Sequence, residues 1–313
     1  MIVCAGEALV DILPGADVPV PGGGPMNTAV AAARQGAPAA FLGRLSTDPE
    51  GDLIAGHLRA NGVDLRCVER GPEPTARAIV EIRPELSFRF EGRGTADTAL
   101  ERADLSPLGP GPHFLHGGTL GMFRGRTAEV LADLVGRCRG IVSLDPNVRP
   151  AIIDDRDRWR YFHRKWLNRS HIYKLSDEDL EWIWPRRRAG SVASELLAGG
   201  RHVVLVTRGG QGADVYTAGG SVEVPAPAVT VVDTVGAGDT FAATVLVELW
   251  RHLPDSRPEN LAHLDLGEWS RIAHRAVGAA AITCTRPGAD PPTLAELDGR
   301  IPARAPDPST GTG

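Results

Sequence analysis

Apolar and polar positions along this chain follow two rhythms. Short apolar runs at 2–5, 39–42, 113–116, 141–145, 172–175 and 203–207 are bounded by turn formers and read as buried strands. From residue 113 onward these runs alternate with segments of helical periodicity. Helices are predicted at 125–138, 156–168 and 177–184, and a further helix at 191–198 leads into the strand at 203–207. Near-continuous apolar strands alternating with helices predict a parallel sheet covered on both faces. Before residue 65 the pattern gives a strand at 9–13 continuing the first one after Gly6-Glu7. It also gives an Ala-rich helix at 25–35 introduced by Gly22-Gly23-Gly24, and a helix at 50–61 ending at Gly62. The second rhythm covers 65–69, 77–83 and 87–90, where apolar and polar residues alternate strictly, with Pro72, Pro74 and Pro84 between the runs. Such strands have one wet face, which predicts a small antiparallel flap outside the main sheet. Residues 212–224 read as a hairpin, 269–282 as a small-residue helix, and the Pro/Ser/Thr/Gly-rich segment 302–313 as a disordered tail. The reading is therefore one α/β domain over 1–301, with a mostly parallel central sheet, helices on both faces and the small flap outside it. There is no internal repeat.

The most informative stretch runs from Val232 to Phe241, Val-Asp-Thr-Val-Gly-Ala-Gly-Asp-Thr-Phe. It ends an apolar segment and opens a helix expected at 241–253, whose Phe241, Val245, Leu249 and Leu253 recur every four residues and bury one face. Gly236, Ala237 and Gly238 leave their amides bare at a helix N-terminus, which makes an anion site. Asp239 follows directly. A carboxylate beside an anion site makes sense if it must deprotonate a hydroxyl that attacks a phosphoryl group. The bland alternative is an acid that favours the positive end of a helix.

Size and composition narrow the classes. The 313 residues and a 42% hydrophobic fraction suit one large domain with a sizeable core. A net charge of −5 without a Lys/Arg block argues against nucleic-acid binding, and Arg186-Arg187-Arg188 after Pro185 reads as a helix-end cap. The four cysteines, Cys4, Cys67, Cys138 and Cys284, show no Cys-x-x-Cys pair, which argues against a zinc site or a disulfide framework and fits a reducing cytoplasm. His113 and His116 fall on opposite faces of a strand and read as structural. No signal peptide and no membrane span are expected.

In open parallel sheets ligands bind beyond the carboxyl ends of the strands. Asp11 lies between Val10 and Ile12, where an acid needs a partner or a ligand hydroxyl, or else bonds local amides. Gly22 to Asn27 needs special backbone angles and could be a ligand loop or only a turn into a helix. Leu144-Asp145-Pro146-Asn147-Val148-Arg149-Pro150 ends a strand with an acid, an amide and a cation, or is turn chemistry alone. Thr207-Arg208-Gly209-Gly210-Gln211-Gly212 could cradle phosphates, although Gly-rich turns are common. A Walker A loop, a dinucleotide fingerprint after strand one, a Gly-x-Ser-x-Gly elbow and the protein-kinase motifs are all missing.

Together these blocks resemble the ribokinase-like (PfkB) sugar kinases, and within them the fructokinase branch. The resemblance also rests on Gly6-Glu7-Ala8-Leu9-Val10-Asp11, Leu42-Gly43-Arg44-Leu45-Ser46, Thr95-Ala96-Asp97, Lys174-Leu175-Ser176-Asp177-Glu178-Asp179 and Cys284-Thr285-Arg286-Pro287-Gly288-Ala289. It implies an ATP-dependent kinase acting on a primary hydroxyl of a small sugar, D-fructose first. 2-Keto-3-deoxygluconate, ribose or a nucleoside are alternatives, and a non-catalytic sugar- or nucleotide-binding regulator is the rival outside enzymes. By resemblance Asp239 is the general base, and the Gly236, Ala237 and Gly238 amides hold the phosphoryl charge. Asp11, Gly23, Asn27 and Arg149 serve the sugar, with Arg149 able to reach the phosphates instead. Lys174, Ser176, Thr207, Gly209, Gly212 and Gly238 serve the nucleotide. Asp179 is implied to act on Mg2+ through water, because Ser176 and Asp179 stand where relatives often carry Asn-x-x-Glu. A K+ site is implied at Asp233, Val235, Thr283, Arg286 and Gly288, with Pro292 replacing one possible ligand. The flap run Phe90-Glu91-Gly92-Arg93 departs from the aromatic-arginine pair expected before Thr-Ala-Asp. The resemblance further implies a three-layer α/β/α architecture with a small β-strand lid from about 12–21 and 65–95, and a homodimer through that lid.

Overall fold

The computed structural model describes residues 1–12, 18–82, 86–108, 113–253 and 255–300. Leu13, lid residues 13–17, Arg83 and the 302–313 tail fall outside them. In chain order the elements are β1 (Ile2–Ala5), β2 (Leu9–Ile12), β3 (Val20–Gly22), α1 (Gly24–Arg34), β4 (Ala39–Ser46) and α2 (Pro49–Ala60). They continue with β5 (Val68–Gly71), β6 (Arg77–Ile82), β7 (Leu86–Glu91), β8 (Phe114–Gly118), α3 (Thr127–Arg137), β9 (Val142–Asp145) and α4 (Arg156–Leu167). Then follow β10 (Ile172–Ser176), α5 (Asp177–Ile183), α6 (Ala189–Ala198), β11 (Val203–Thr207), β12 (Ala213–Thr217) and β13 (Gly220–Val224). Three helices close the described chain: α7 (Ala237–His252), α8 (Leu266–Cys284) and α9 (Leu294–Arg300).

The main sheet has the order β13-β12-β11-β10-β9-β8-β1-β4-β5. The seven strands from β11 to β5 run parallel, and the β12–β13 hairpin closes one edge in antiparallel pairing. Alternate side chains enter two separate cores, as the pleat requires. Ile2 and Cys4 join Met26, Ile54, Leu246 and Trp269 from α1, α2, α7 and α8. Val3 and Ala5 join Leu131, Trp166, Leu180 and Leu196 from α3, α4, α5 and α6. The result is three layers, with the parallel sheet buried on both faces.

A second sheet of order β3-β2-β6-β7 forms the lid. The chain therefore changes sheets within its first dozen residues, since β1 is central in the main sheet and β2 is central in the lid. Three differences from the sequence reading have physical causes. Residues 65–71 do not belong to the lid, because β5 pairs with β4 from Gly43↔Val68 to Ser46↔Gly71. As the edge strand of the main sheet it is only partly covered, with Val68, Glu69 and Arg70 half-buried, and its mixed apolar and polar sequence reads like that of a lid strand. The helix expected from 241 begins at Ala237, because Gly236 takes a left-handed φ of 76° and turns the chain into the helix four residues earlier. The helix expected from 269 begins at Leu266, where Asp265 and Glu268 form a capping box.

The lid is tied to the body behind β7. The Arg124 guanidinium stacks over Phe90 at 4.6 Å and donates to Asp97 Oδ2 at 2.9 Å. Asp97 is buried and also accepts from the Thr95 hydroxyl.

Candidate active site

The carboxyl ends of β8, β9, β10 and β11 open towards one side of the sheet, and the N-terminus of α7 lies over them. Asp239 is in the first turn of α7, 9% exposed, and its Oδ2 accepts from Asn27 Nδ2 at 2.9 Å. Burial pushes its carboxyl up to about 6, with Asp145 adding to the rise and the Asn27 bond, Lys174 and Arg149 opposing it. The amides of Gly236 and Gly238 make no hydrogen bond to any described residue, whereas the Ala237 amide closes a turn onto Thr234 O at 3.3 Å. Gly236 must be glycine on two counts: its positive φ, and a Cβ there would lie 2.6 Å from Ala289 Cβ.

Below this turn Lys174 Nζ and Asp145 Oδ2 form a buried ion pair at 2.6 Å. Burial alone would lower the Lys174 pKa, but the attraction of Asp145, then Asp179, holds it above its ordinary value. The ammonium lies 3.0 Å from where a Cβ of Gly238 would stand, so a cation backs the helix N-terminus.

Gly24 marks the meeting point of the sugar-side residues. A Cβ there would be 2.8 Å from Thr119 Oγ1, 3.3 Å from Asn147 Nδ2 and 3.4 Å from Asp239 Oδ1. Thr119 and Asn147 follow the ends of β8 and β9 with φ of 45° and 37°. Positive φ is costly for a β-branched residue and concentrates at functional sites. Asp11, on β2, packs over Gly22, and burial raises its carboxyl to about 6 while Arg149 opposes the rise. Gly23 has φ 119° and a Cβ there would meet Glu7 O at 2.8 Å. Asp11, Gly23, Asn27, Arg149 and Asp239 are therefore brought together. Thr119 was missed from sequence. The only signal was the Gly117-Gly118 pair before it, at a strand end.

On the other side of the α7 N-terminus is a cleft of about 480 Å³. Lys174, Ser176, Thr207, Gly209, Gly212 and Gly238 all line it, as does Arg149. Its far end is apolar, between Val229 and Val231 of the loop before α7 and Ala280 and Ala281 of α8. Ser176 Oγ caps α5 by accepting from the Asp179 amide at 3.0 Å. Asp179 accepts from Val148 N at 2.7 Å and Ser176 N at 3.0 Å, so both carboxylate oxygens are engaged by amides. Asp179 also lines the cleft, and its oxygens keep lone pairs free for water, so an indirect part in holding a metal fits the residues present. No group of three or more His, Cys, Asp or Glu able to hold a metal occurs among the described residues.

The loops before α7 and after α8 meet at Asp233, which accepts from Val235 N at 3.0 Å and Gly288 N at 2.8 Å. Thr283 O accepts from Arg286 N at 3.1 Å, and Gly288 O from Asp290 N at 2.9 Å. Carbonyl oxygens and a carboxylate are the donors a large monovalent cation takes, so the residues present suit one. No described helix is long and apolar enough to cross a membrane.

The model of the pfkB family carbohydrate kinases matches residues 10–296. The chain belongs to that family. A fructokinase of Rhizobium leguminosarum bv. trifolii is 37% identical over 260 residues, covering 80% of this chain and 79% of the relative. A Xylella fastidiosa fructokinase solved with bound ATP superposes with a TM-score of 0.87 at 29% identity, covering 95% of this chain and 97% of that one. A Vibrio cholerae O395 fructokinase double mutant with fructose, ADP and a potassium ion gives 0.82 at 25% identity, with coverages of 95% and 94%. The three layers and the lid thus form a ribokinase-like fold, and this pfkB chain is a sugar kinase.

The Asp145–Lys174 pair makes a stability test. Lys174→Met leaves the buried Asp145 carboxylate uncompensated, which is expected to cost about 3–5 kcal/mol. Adding Asp145→Leu should recover part of the loss. Urea unfolding of both variants and the parent measures it, and a single variant with the parental midpoint would show that the pair does not hold this site together.

Proposed function

We propose that this sugar kinase is an ATP-dependent fructokinase that transfers the γ-phosphoryl group of ATP to a primary hydroxyl of D-fructose. One observation carries the reading: Asp239, Thr119 and Asn147 converge at Gly24, Asn27 bonds Asp239, and the unbonded amide of Gly238, the residue before Asp239, belongs to the lining of the cleft. The relatives named fructokinases support fructose over 2-keto-3-deoxygluconate, ribose or a nucleoside.

In this reading Asp11, Gly23, Asn27 and Arg149 hold the sugar hydroxyls, and Thr119 and Asn147 shape the floor. Asp239 takes the proton from the attacking hydroxyl. Its carboxyl, lifted to about 6, is ionised at neutral pH and still basic enough to accept a proton. The Gly236, Ala237 and Gly238 amides stabilise the transferring charge, the Ala237 amide after releasing Thr234. Lys174 adds positive charge from below, and Thr207, Gly209, Gly212 and Ser176 carry the phosphates. Mg2+ arriving with ATP would neutralise phosphate charge, with Asp179 acting on it through water while its amide bonds fix the Val148 and Ser176 loops. The lid excludes water, the competing acceptor. A regulator that only binds would not need a base at 239.

A coupled ADP-release assay over ketoses, aldoses, keto-acids and nucleosides tests the substrate, fructose being expected to give the highest kcat/KM. A different best substrate would replace it. Asp239→Asn should lower kcat by about two or more orders of magnitude with ATP affinity kept. In the parent, kcat/KM should fall as pH drops through about 6, because the base is then protonated. A near-normal rate in Asp239→Asn would remove the base assignment.

Pro292 removes one possible ligand from the Asp233 loops, so K+ should stimulate rather than be required. Rates at fixed ionic strength with K+ exchanged for tetramethylammonium measure this, and equal rates would remove the cation from the account. Val18 and Val20 of the lid are 61% and 37% exposed. In the same reading they are covered by a second copy, and a single-chain species in sedimentation velocity would end that part.

A further inference from the structure

Glu7 has no role in the scheme above, yet it is 0% exposed and lies where the chain leaves the main sheet for the lid. Two turns of the sugar half close on this crossing. The Gly121 amide donates to Glu7 Oε2 at 2.8 Å, and a Cβ at Gly121 would stand 2.7 Å from Gly6 Cα and 3.2 Å from Glu7 N. A Cβ at Gly23 would stand 2.8 Å from Glu7 O and 3.1 Å from Ala8 Cα. The backbones of 22–24 and 119–121 are thus both in contact with residues 6–8. Glu7 Oε1 is buried and has no hydrogen-bond partner among the described residues. An ionised carboxylate with so little compensation is unfavourable there, whereas a neutral carboxylic acid is tolerated.

We propose that Glu7 is a positioning residue that acts as a neutral acid, clamping the 119–121 turn onto the 22–24 turn and so fixing Thr119 against the sugar. The inference rests on the sugar assignment of that half. Burial raises the Glu7 carboxyl to about 8. The Gly121 amide and its own amide oppose the rise, and Asp97 and Asp239 add to it. The groups that face it are Asp97 from the turn after the lid, held by Arg124, and Asp239 from α7. On β1, Cys4 has a thiol pushed far above this range by burial and Asp239. Below about pH 8 Glu7 is therefore protonated. Above it a buried charge appears beside two other acids and should loosen the clamp.

The test is steady-state kinetics of the parent, Glu7→Gln and Glu7→Ala from neutral pH to about one unit above the Glu7 pKa. The sugar is the one the parent uses best. The parent's sugar KM should rise several-fold through about pH 8 while the ATP KM stays level. Glu7→Gln accepts the Gly121 amide and cannot ionise, so its sugar KM should be flat over that range. Glu7→Ala should raise the sugar KM about tenfold or more at every pH, as misplacement of a binding group does. The same alkaline rise in parent and Glu7→Gln would overturn the proposal, as would a parental sugar KM in Glu7→Ala. If Glu7→Ala does not fold, the comparison of parent with Glu7→Gln decides. If no sugar is turned over at all, the sugar assignment fails separately. Hydrogen exchange of the 118–122 segment then decides the clamp: at about pH 7, faster exchange in Glu7→Ala than in Glu7→Gln supports it, and equal exchange overturns it.

Discussion

On the proposed reading, a buried carboxylate and a transferring phosphoryl group, both negative, meet at the N-terminus of α7, and much of the site follows from that constraint. The rise of Asp239 to about 6 corresponds to roughly 3 kcal/mol favouring the neutral acid. A helix N-terminus returns only about 1 kcal/mol, or about 2 in favourable buried geometry. Burial therefore wins, and the carboxylate is kept ionisable by specific partners: the Asn27 amide and the positive charge of Lys174. Lys174 in turn needs Asp145, because an ammonium buried alone would lose its proton. The two glycines follow from the same crowding. Residue 236 must fold back against Ala289, and residue 238 must let Lys174 approach the helix end.

The second organising feature is the change of sheet at residues 6–8. β1 is central in the body and β2 central in the lid, so the two sheets are joined directly through residues 6–8. Asp11 lies on a lid strand, while Asn27 and Asp239 lie on helices of the body. The lid's other end is pinned through Phe90, Arg124 and Asp97, all within reach of the 119–124 turn. On the proposed reading, the sugar would touch both sheets at once without a separate hinge domain.

Much of this was legible in the sequence, and the limits are physical. The parallel layers were visible because strands buried on both faces are almost wholly apolar. The block from Asp233 to Asp239 stood out because the carboxylate proposed as base and the amides proposed for the anion are local to one turn. Residues 65–71 were misplaced because an edge strand, like a lid strand, is only partly covered and so mixes apolar and polar residues. The start of α7 was placed late because apolar periodicity begins at Phe241, while the turn that opens the helix is made by Gly236. Thr119 was invisible because nothing in a threonine announces a φ of 45°. That conformation is imposed by packing between β8 and β9, where a Cβ on Gly118 would lie 1.6 Å from Asp145 O. Glu7 was quoted only as part of a motif, since its burial depends on segments more than a hundred residues away.

The two halves of the site are built from different materials and meet at one turn. The sugar half is made of strand ends, the glycine turn and the lid, all fixed by backbone contacts too close for a Cβ. The nucleotide half is made of loops and the small-residue face of α8, where Ala280 and Ala281 leave room for a flat apolar group. Gly238 belongs to the cleft and Asp239, the next residue, to the sugar half. Adjacent residues near a helix start point in different directions, so a single turn can present amides to one ligand and a carboxylate to the other. That geometry explains why the acid must be adjacent in sequence to the anion site. A base supplied from another segment would have to be positioned across the two substrates, whereas here the peptide bond between residues 238 and 239 sets the distance.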